Sequence, residues 1–269
     1  MTMSTSLNGL KNAQTELGTI SNNLANAETS GFKKSRVNFA DIVAGSAYTN
    51  PKMVQGIGST VRSIDQNFAA GAITQTGSAL DFAVNGEGFF TVKSPITGQV
   101  LHTRNGNLAT DGGGYIVDSN GNRMQILPVN AAGVPTSQTP MDALLPPTNG
   151  TATYSGVTVK TDGSIIAAYS DGSLITVGKV ALASFVAPTG LLQMGNQDWQ
   201  TTGLSGTATY NAPATSGMGN ILSGSLEQSN VDIAEEMVGL ITAQRYFQAN
   251  AKAIDTATQI ADAVINLRT

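Results

Sequence analysis

The sequence predicts an α+β chain, mainly β with paired terminal α-helices: coiled-coil helices at the two ends and one β-rich domain in the middle. Large apolar residues recur at every seventh position near both ends, the pattern of a narrow helical seam. Between the ends, two-residue turn signals separate short β-branched runs. A charged fraction of only 12% with 30 glycines in 269 residues suits turn-rich β structure whose surfaces face other protein.

The first seam is Met3, Leu10, Leu17 and Leu24, flanked by Leu7, Ala13, Ile20 and Ala27. Its other positions are mostly Asn, Thr, Ser and Gly, and Gly9 and Gly18 each cost about 1 kcal/mol relative to alanine in a helix interior. This helix is expected to be marginal by itself. The second seam is Leu240, Phe247, Ile254 and Ala261, preceded by candidate N-caps in Ser229-Asn230-Val231-Asp232 and by Glu235 and Glu236 at the positive end of the helix dipole. Both seams are narrow and neither has a partner nearby in sequence, so the two helices are expected to pair with each other.

Three domains follow: residues 1–31 with 225–269 as the helical part, 32–70 as an extended linker, and 71–224 as the β-rich part. Val157-Thr158-Val159, Ile165-Ile166-Ala167 and Ile175-Thr176-Val177 read as hairpin strands around Asp162-Gly163 and Asp171-Gly172. Phe82-Ala83-Val84 and Phe89-Phe90-Thr91-Val92, split by Asn85-Gly86-Glu87-Gly88, read as another pair. In the linker, Pro51 and Gly56-Ile57-Gly58 interrupt any long element, and the proline-rich stretch 128–150 reads as a surface connection.

Chemistry is conspicuous by omission. Zero cysteines remove disulfide and thiolate chemistry, and a single histidine, His102, has no second histidine with which to share a metal. Glu235 and Glu236 are read as dipole-stabilising residues rather than an acid and base, because adjacent helical side chains diverge by about 100°. Asp118-Ser119-Asn120-Gly121-Asn122 opens like a calcium loop, but Val129 stands where the bidentate Glu belongs, so a turn is expected. No catalytic, cofactor or metal residue is assigned. The net charge of −4 argues against nucleic acid, and no apolar run approaches the ~18 residues of a membrane span. Lys33, Lys34 and Arg36 are read as a solvated cluster past a helix end. The first residues lack the basic and apolar blocks of a cleaved signal peptide, so any export is expected to use another route.

Asn22-Asn23-Leu24-Ala25-Asn26 with Thr29-Ser30-Gly31-Phe32-Lys33 resembles the amino-terminal signature of bacterial flagellar axial proteins, the rod and hook group. Ser225 to Asp232, Ala243 to Asn250 and Ile265-Asn266-Leu267-Arg268 resemble its carboxy-terminal signature, and Leu80 to Phe90 resembles the entry to its first β domain. Within the group, the closing residues and the short 39–56 segment look most like a hook subunit, in a core-only form without an inserted outer domain. The alternative is a distal or proximal rod protein; a secreted β-rich adhesin is more remote.

The resemblance implies a self-assembling helical tube that transmits torque, with no catalysis. It implies other copies of the chain, rod and hook–filament junction proteins, a hook cap and the flagellar export apparatus as partners, and a place in the flagellum outside the cell. Asn22, Asn23, Asn26, Gln244 and Asn250 are expected to contact neighbouring subunits, with Gln244 and Thr258 on the buried seam. Gly31 is expected as the left-handed residue that stops the first helix, and Phe32 as the residue that packs back on its last turn.

Overall fold

The computed structural model describes residues 2–44, 55–130 and 133–266. The chain divides into two units: Met1–Ala27, Lys34–Asn67 and Val231–Thr269 form one, and Glu28–Lys33 with Phe68–Asn230 form the other.

The helical unit contains α1 (Thr2–Ala25), a β-ribbon of β1 (Ser35–Ala44) and β2 (Gln55–Gln66), and the long C-terminal helix α2, Ile233–Asn266. The helices pack together and run antiparallel. Gly9 lies against Asn250, Ile20 against Gly239, and Asn23 bonds Glu236, so equal steps forward on α1 match equal steps back on α2. Glycines at two of these points let the backbones approach. Asp232 caps α2, its carboxylate accepting the N–H groups of Ala234 (2.8 Å) and Glu235 (3.2 Å).

Residues 32–70 differ from the extended linker that the sequence suggested, because most of them form the paired ribbon. Its register slips between Asn38 and Phe39 and between Ile42 and Val43, leaving Arg62 and Ile57 of β2 unpaired. These two bulges break the alternation of apolar and polar residues, which is why the strands escape a period-two reading.

The β unit holds β3 (Ile73–Gln75), β4 (Phe82–Asn85), β5 (Phe89–Lys93), β6 (Val100–Thr103), β7 (Leu108–Thr110), β8 (Ile116–Asp118) and β9 (Arg123–Leu127). There follow β10 (Met141–Asp142), β11 (Thr148–Asn149), β12 (Ala152–Val159), β13 (Ser164–Tyr169), β14 (Leu174–Val180) and β15 (Leu182–Ser184). Finally come β16 (Leu192–Gly195), β17 (Asp198–Gln200), β18 (Thr209–Asn211), β19 (Asn220–Ser223) and β20 (Ser225–Glu227). The main sheet runs β11-β12-β13-β14-β9-β5-β6-β17-β16. Its core is built by Phe82, Phe90, Ile116, Met124, Ile126, Ile165 and Leu182, and a second, aromatic cluster joins Phe89 and Trp199 to Phe68 and Phe185.

The hairpins of β12, β13 and β14 form as expected. The 82–92 pair does not: β4 pairs with β19, while β5 joins β6, β9 and β15. Gly86 and Gly88 have φ of 125° and 122°, which turn the chain out of one sheet into another instead of closing a hairpin. The 128–150 stretch is also more than a surface connection. Ala143 and Leu145 are buried in the core, and their N–H groups bond Met124 and Gly114 carbonyls.

Helix α1 ends at Ala25, six residues before Gly31, and tightens as Asn26 and Ala27 donate to the Asn23 and Leu24 carbonyls. Gly31 is left-handed, φ 73°, but it belongs to the β unit, donating to the Glu227 carbonyl at 2.8 Å. Phe32 is buried in the same short segment, its N–H on the Thr29 carbonyl. A Cβ at Gly31 would lie 2.6 Å from the Asn105 nitrogen, so both its φ and its close approach exclude a side chain. Gly31→Ala is therefore expected to destabilise the β unit by about 2–4 kcal/mol, whereas Gly18→Ala, with open space beside it, stabilises α1 by up to about 1 kcal/mol. Urea denaturation of the two variants checks both signs.

Candidate functional site

The residues of greatest electrostatic consequence sit where the chain passes between units. Lys33 and Lys34 are neighbours in sequence, and each finds its carboxylate in a different unit. Neither is the solvated residue that the sequence suggested.

In the β unit, Lys33 is 1% exposed and its Nζ donates to Glu227 Oε1 at 2.5 Å and to the Ala69 carbonyl at 2.8 Å. Gly71 N–H reaches the same Oε1 at 2.9 Å, and Arg104 reaches Oε2 at 3.3 Å. Arg104 also donates to the Gly86 carbonyl and lies over the Phe89 ring, while its Nε has no partner. Two buried cations thus share one buried carboxylate. Burial pushes the Lys33 amine below its usual range, against the pull of Glu227.

In the helical unit, Lys34 bridges Glu236 (2.7 Å) and Glu235 (3.1 Å). Burial lowers the Lys34 amine, but hydrogen bonds to both carboxylates outweigh it and leave the amine above its usual range. Glu236 is buried and accepts from Asn23 Nδ2 at 3.1 Å. Asn23 also donates to the Ser35 carbonyl at 2.8 Å and accepts the Ser35 N–H at 2.9 Å. The first turn of α2, whose carboxylates the sequence assigned to the dipole alone, therefore also clamps α1 to the start of the ribbon.

Asn23 is thus engaged within its own chain and is not presented to a neighbouring subunit. Asn22 is exposed, Asn26 donates to the Asn22 carbonyl, and Asn250 donates to the Tyr246 carbonyl beside Gly9. Gln244 is exposed rather than on the seam, which its neighbour Ala243 fills; Thr258 is half-buried and bonds the Asp255 carbonyl. Of the seam residues, Leu10, Leu17, Leu24, Leu240, Phe247 and Ile254 are half-buried, and Met3 and Ala261 are exposed. On α2, Ile233, Met237, Val238 and Ile241 follow one another at helical spacing and leave an uncovered apolar stripe.

Among the described residues no three His, Cys, Asp or Glu side chains converge on a metal position, and no helix is long and apolar enough to cross a membrane. His102 is buried on β6, against Phe185, and burial pushes its imidazole down to about 4. Asp118 builds the expected turn, accepting the N–H groups of Asn120 and Asn122 at 2.8 Å.

The profile described as flagella basal body rod protein matches residues 3–33, that of the flagellar hook protein FlgE/F/G D1 domain matches 83–167, and that of the flagellar basal body rod FlgEFG protein C-terminal matches 222–267. The flagellar basal-body rod protein FlgG of Bacillus subtilis is 35% identical over 275 residues, covering 97% of each chain. The chain belongs to the FlgE, FlgF and FlgG family of flagellar rod and hook proteins. FlgG of Caulobacter vibrioides is 34% identical over 279 residues, 98% of each chain, and the hook protein FlgE of Salmonella typhimurium is 25% identical over 413 residues, all of both chains.

The chain is thus a structural component of the flagellar rod and hook family. Glu227→Gln leaves Lys33 and Arg104 without a buried counter-charge, and the expected loss is about 3–5 kcal/mol of stability. Guanidinium unfolding followed by circular dichroism measures it.

Proposed function

We propose that the chain is a subunit of the flagellar basal-body rod, of the FlgG type, that assembles with copies of itself into a tube carrying torque. The observation that carries this reading is alignment length. The Bacillus rod protein aligns over 275 positions, only a few more than the 269 residues of this chain, whereas the Salmonella hook protein needs 413 positions, so at least 144 of them have no counterpart in these 269 residues. That difference outweighs the hook-like closing residues and the short 39–56 segment. The main sheet passes through 128–150 by way of β10 and β11 without an inserted domain, which also favours the rod.

The subunit acts as a structural part without catalysis and adjoins other rod and hook components. Its self-contacts use the uncovered stripe of Ile233, Met237, Val238 and Ile241, with Asn22 and Gln244 as exposed amides beside the helix faces. An apolar stripe left open on a chain with little charge is satisfied by another copy at small desolvation cost.

Electron microscopy of the protein concentrated under salting-out conditions tests the rod assignment: straight tubes are expected, and curved, variably bent ones would return the chain to the hook branch. In the same assay Val238→Asp with Ile241→Asp is expected to abolish sedimentable polymer while changing monomer stability by no more than about 0.5 kcal/mol per site. Polymer of unchanged yield would remove the stripe from the interface.

A further inference from the structure

The β unit also holds a pair of buried acids, of which only Asp118 has a role in the turn described above. Asp118 closes β8 and Asp198 opens β17, 80 residues apart in number, and both are less than a tenth exposed. Asn120 bridges them, its backbone N–H on Asp118 Oδ1 at 2.8 Å and its Nδ2 on Asp198 Oδ2 at 3.4 Å. Their hydrogen bonding is unequal. Asp118 accepts two backbone N–H groups and the Asn122 amide at 2.9 Å, while Asp198 has the long bond from Asn120, and the nearby Thr103 hydroxyl donates to the Gln197 carbonyl at 2.8 Å.

Among the described residues, the neighbouring cations are already engaged. Along β6, which pairs with β17, His102 is uncharged and Arg104 is committed to Glu227 and the Gly86 carbonyl. In the 118–122 loop and just beyond it, Arg123 is bound to Asp142 and stacked on Tyr115. Strand β16, the other neighbour of β17, carries Leu-Gln-Met-Gly and no ionisable group. A buried carboxylate facing a second one, with no positive charge in reach, is relieved by taking up a proton.

Asp198 also sits at a mechanical weak point. The turn between β16 and β17 strings Gly195, Asn196 and Gln197 in the left-handed region, φ 90°, 52° and 60°, and β16 is an exposed sheet edge carrying Leu192 and Met194. On the far side, Trp199 plugs the aromatic cluster. The hairpin is held by its pairing with β6, by Trp199 at one face, and at its turn by the Thr103 hydroxyl on the Gln197 carbonyl at 2.8 Å and the Asn120 amide on Asp198.

We propose that the β16–β17 turn is a proton-operated latch, docked on the 118–122 loop when Asp198 carries a proton and loosened by repulsion from Asp118 when the proton leaves. Burial, and then the Asp118 charge, push the Asp198 carboxyl up to about 7 from its ordinary value near 4, which puts the switch in the neutral range. The linkage has a fixed sign: the group binds its proton more tightly folded than unfolded, so its stabilising contribution is complete below about pH 4 and declines as pH rises to about 7.

Trp199, the single tryptophan of the chain, adjoins the latch and reports on it. Its emission is followed in the full-length protein from pH 5 to 9, with far-ultraviolet circular dichroism confirming that the fold persists. A transition centred near 7 is expected, absent in Asp198→Asn, which should keep the acid spectrum throughout, and moved down by about one unit in Asp118→Asn. His102 titrates below this range. A flat wild-type titration, or the same transition persisting in Asp198→Asn, overturns the latch. Should Asp198→Asn not fold, Asp118→Asn decides alone, and an unmoved midpoint overturns it.

Discussion

Inside the β unit one carboxylate organises four separated segments of backbone. Glu227, at the end of β20, receives the Lys33 ammonium, the Arg104 guanidinium and the Gly71 amide, while its own carbonyl accepts from Gly31. The entering segment 28–33, the start of the β unit near 69–71, the β6 exit and the strand before α2 are all set by this charge. Hydrophobic packing alone would tolerate small slips among these segments, because burial is non-directional. An ion pair in a dry site does not, since each ångström of displacement leaves a charge unsolvated.

The helical unit solves a different problem. Its helices approach where side chains are smallest, at Gly9 and Gly239, and its most buried positions include Ala13, Asn23, Glu236 and Ala243. The large seam residues are left half-covered. An interface of this kind is incomplete in one chain and gains most from a neighbour, which fits a protein whose relatives are named for the rod and the hook.

The two terminal helices and the Asp-Gly hairpins were legible because their signals are local: apolar spacing along one helix and a turn type between two strands. The ribbon was not, since Arg62 and Ile57 interrupt its alternation. The partnership of β4 with β19 was hidden for another reason: Gly86 and Gly88 mimic the glycines of a tight turn, and pairing with residues 220–223 has no nearby trace. The Lys33–Glu227 pair spans 194 positions. Its one available sign was the presence of charge at all, in a chain that uses so little of it. Asn23 misled for a related reason, because a buried amide and an outward-facing one are the same letter, and only the Ser35 backbone and Glu236 distinguish them.

Both unpaired residues of the ribbon lie on the same strand, β2, whose 12 residues run beside the 10 of β1. Two residues are roughly 7 Å of extra path at about 3.3 Å each. Each bulge takes up its extra residue as a local bend and added right-handed twist of β2. The two extra residues of β2 thus write a local bend into the chain as a difference in length between its paired strands.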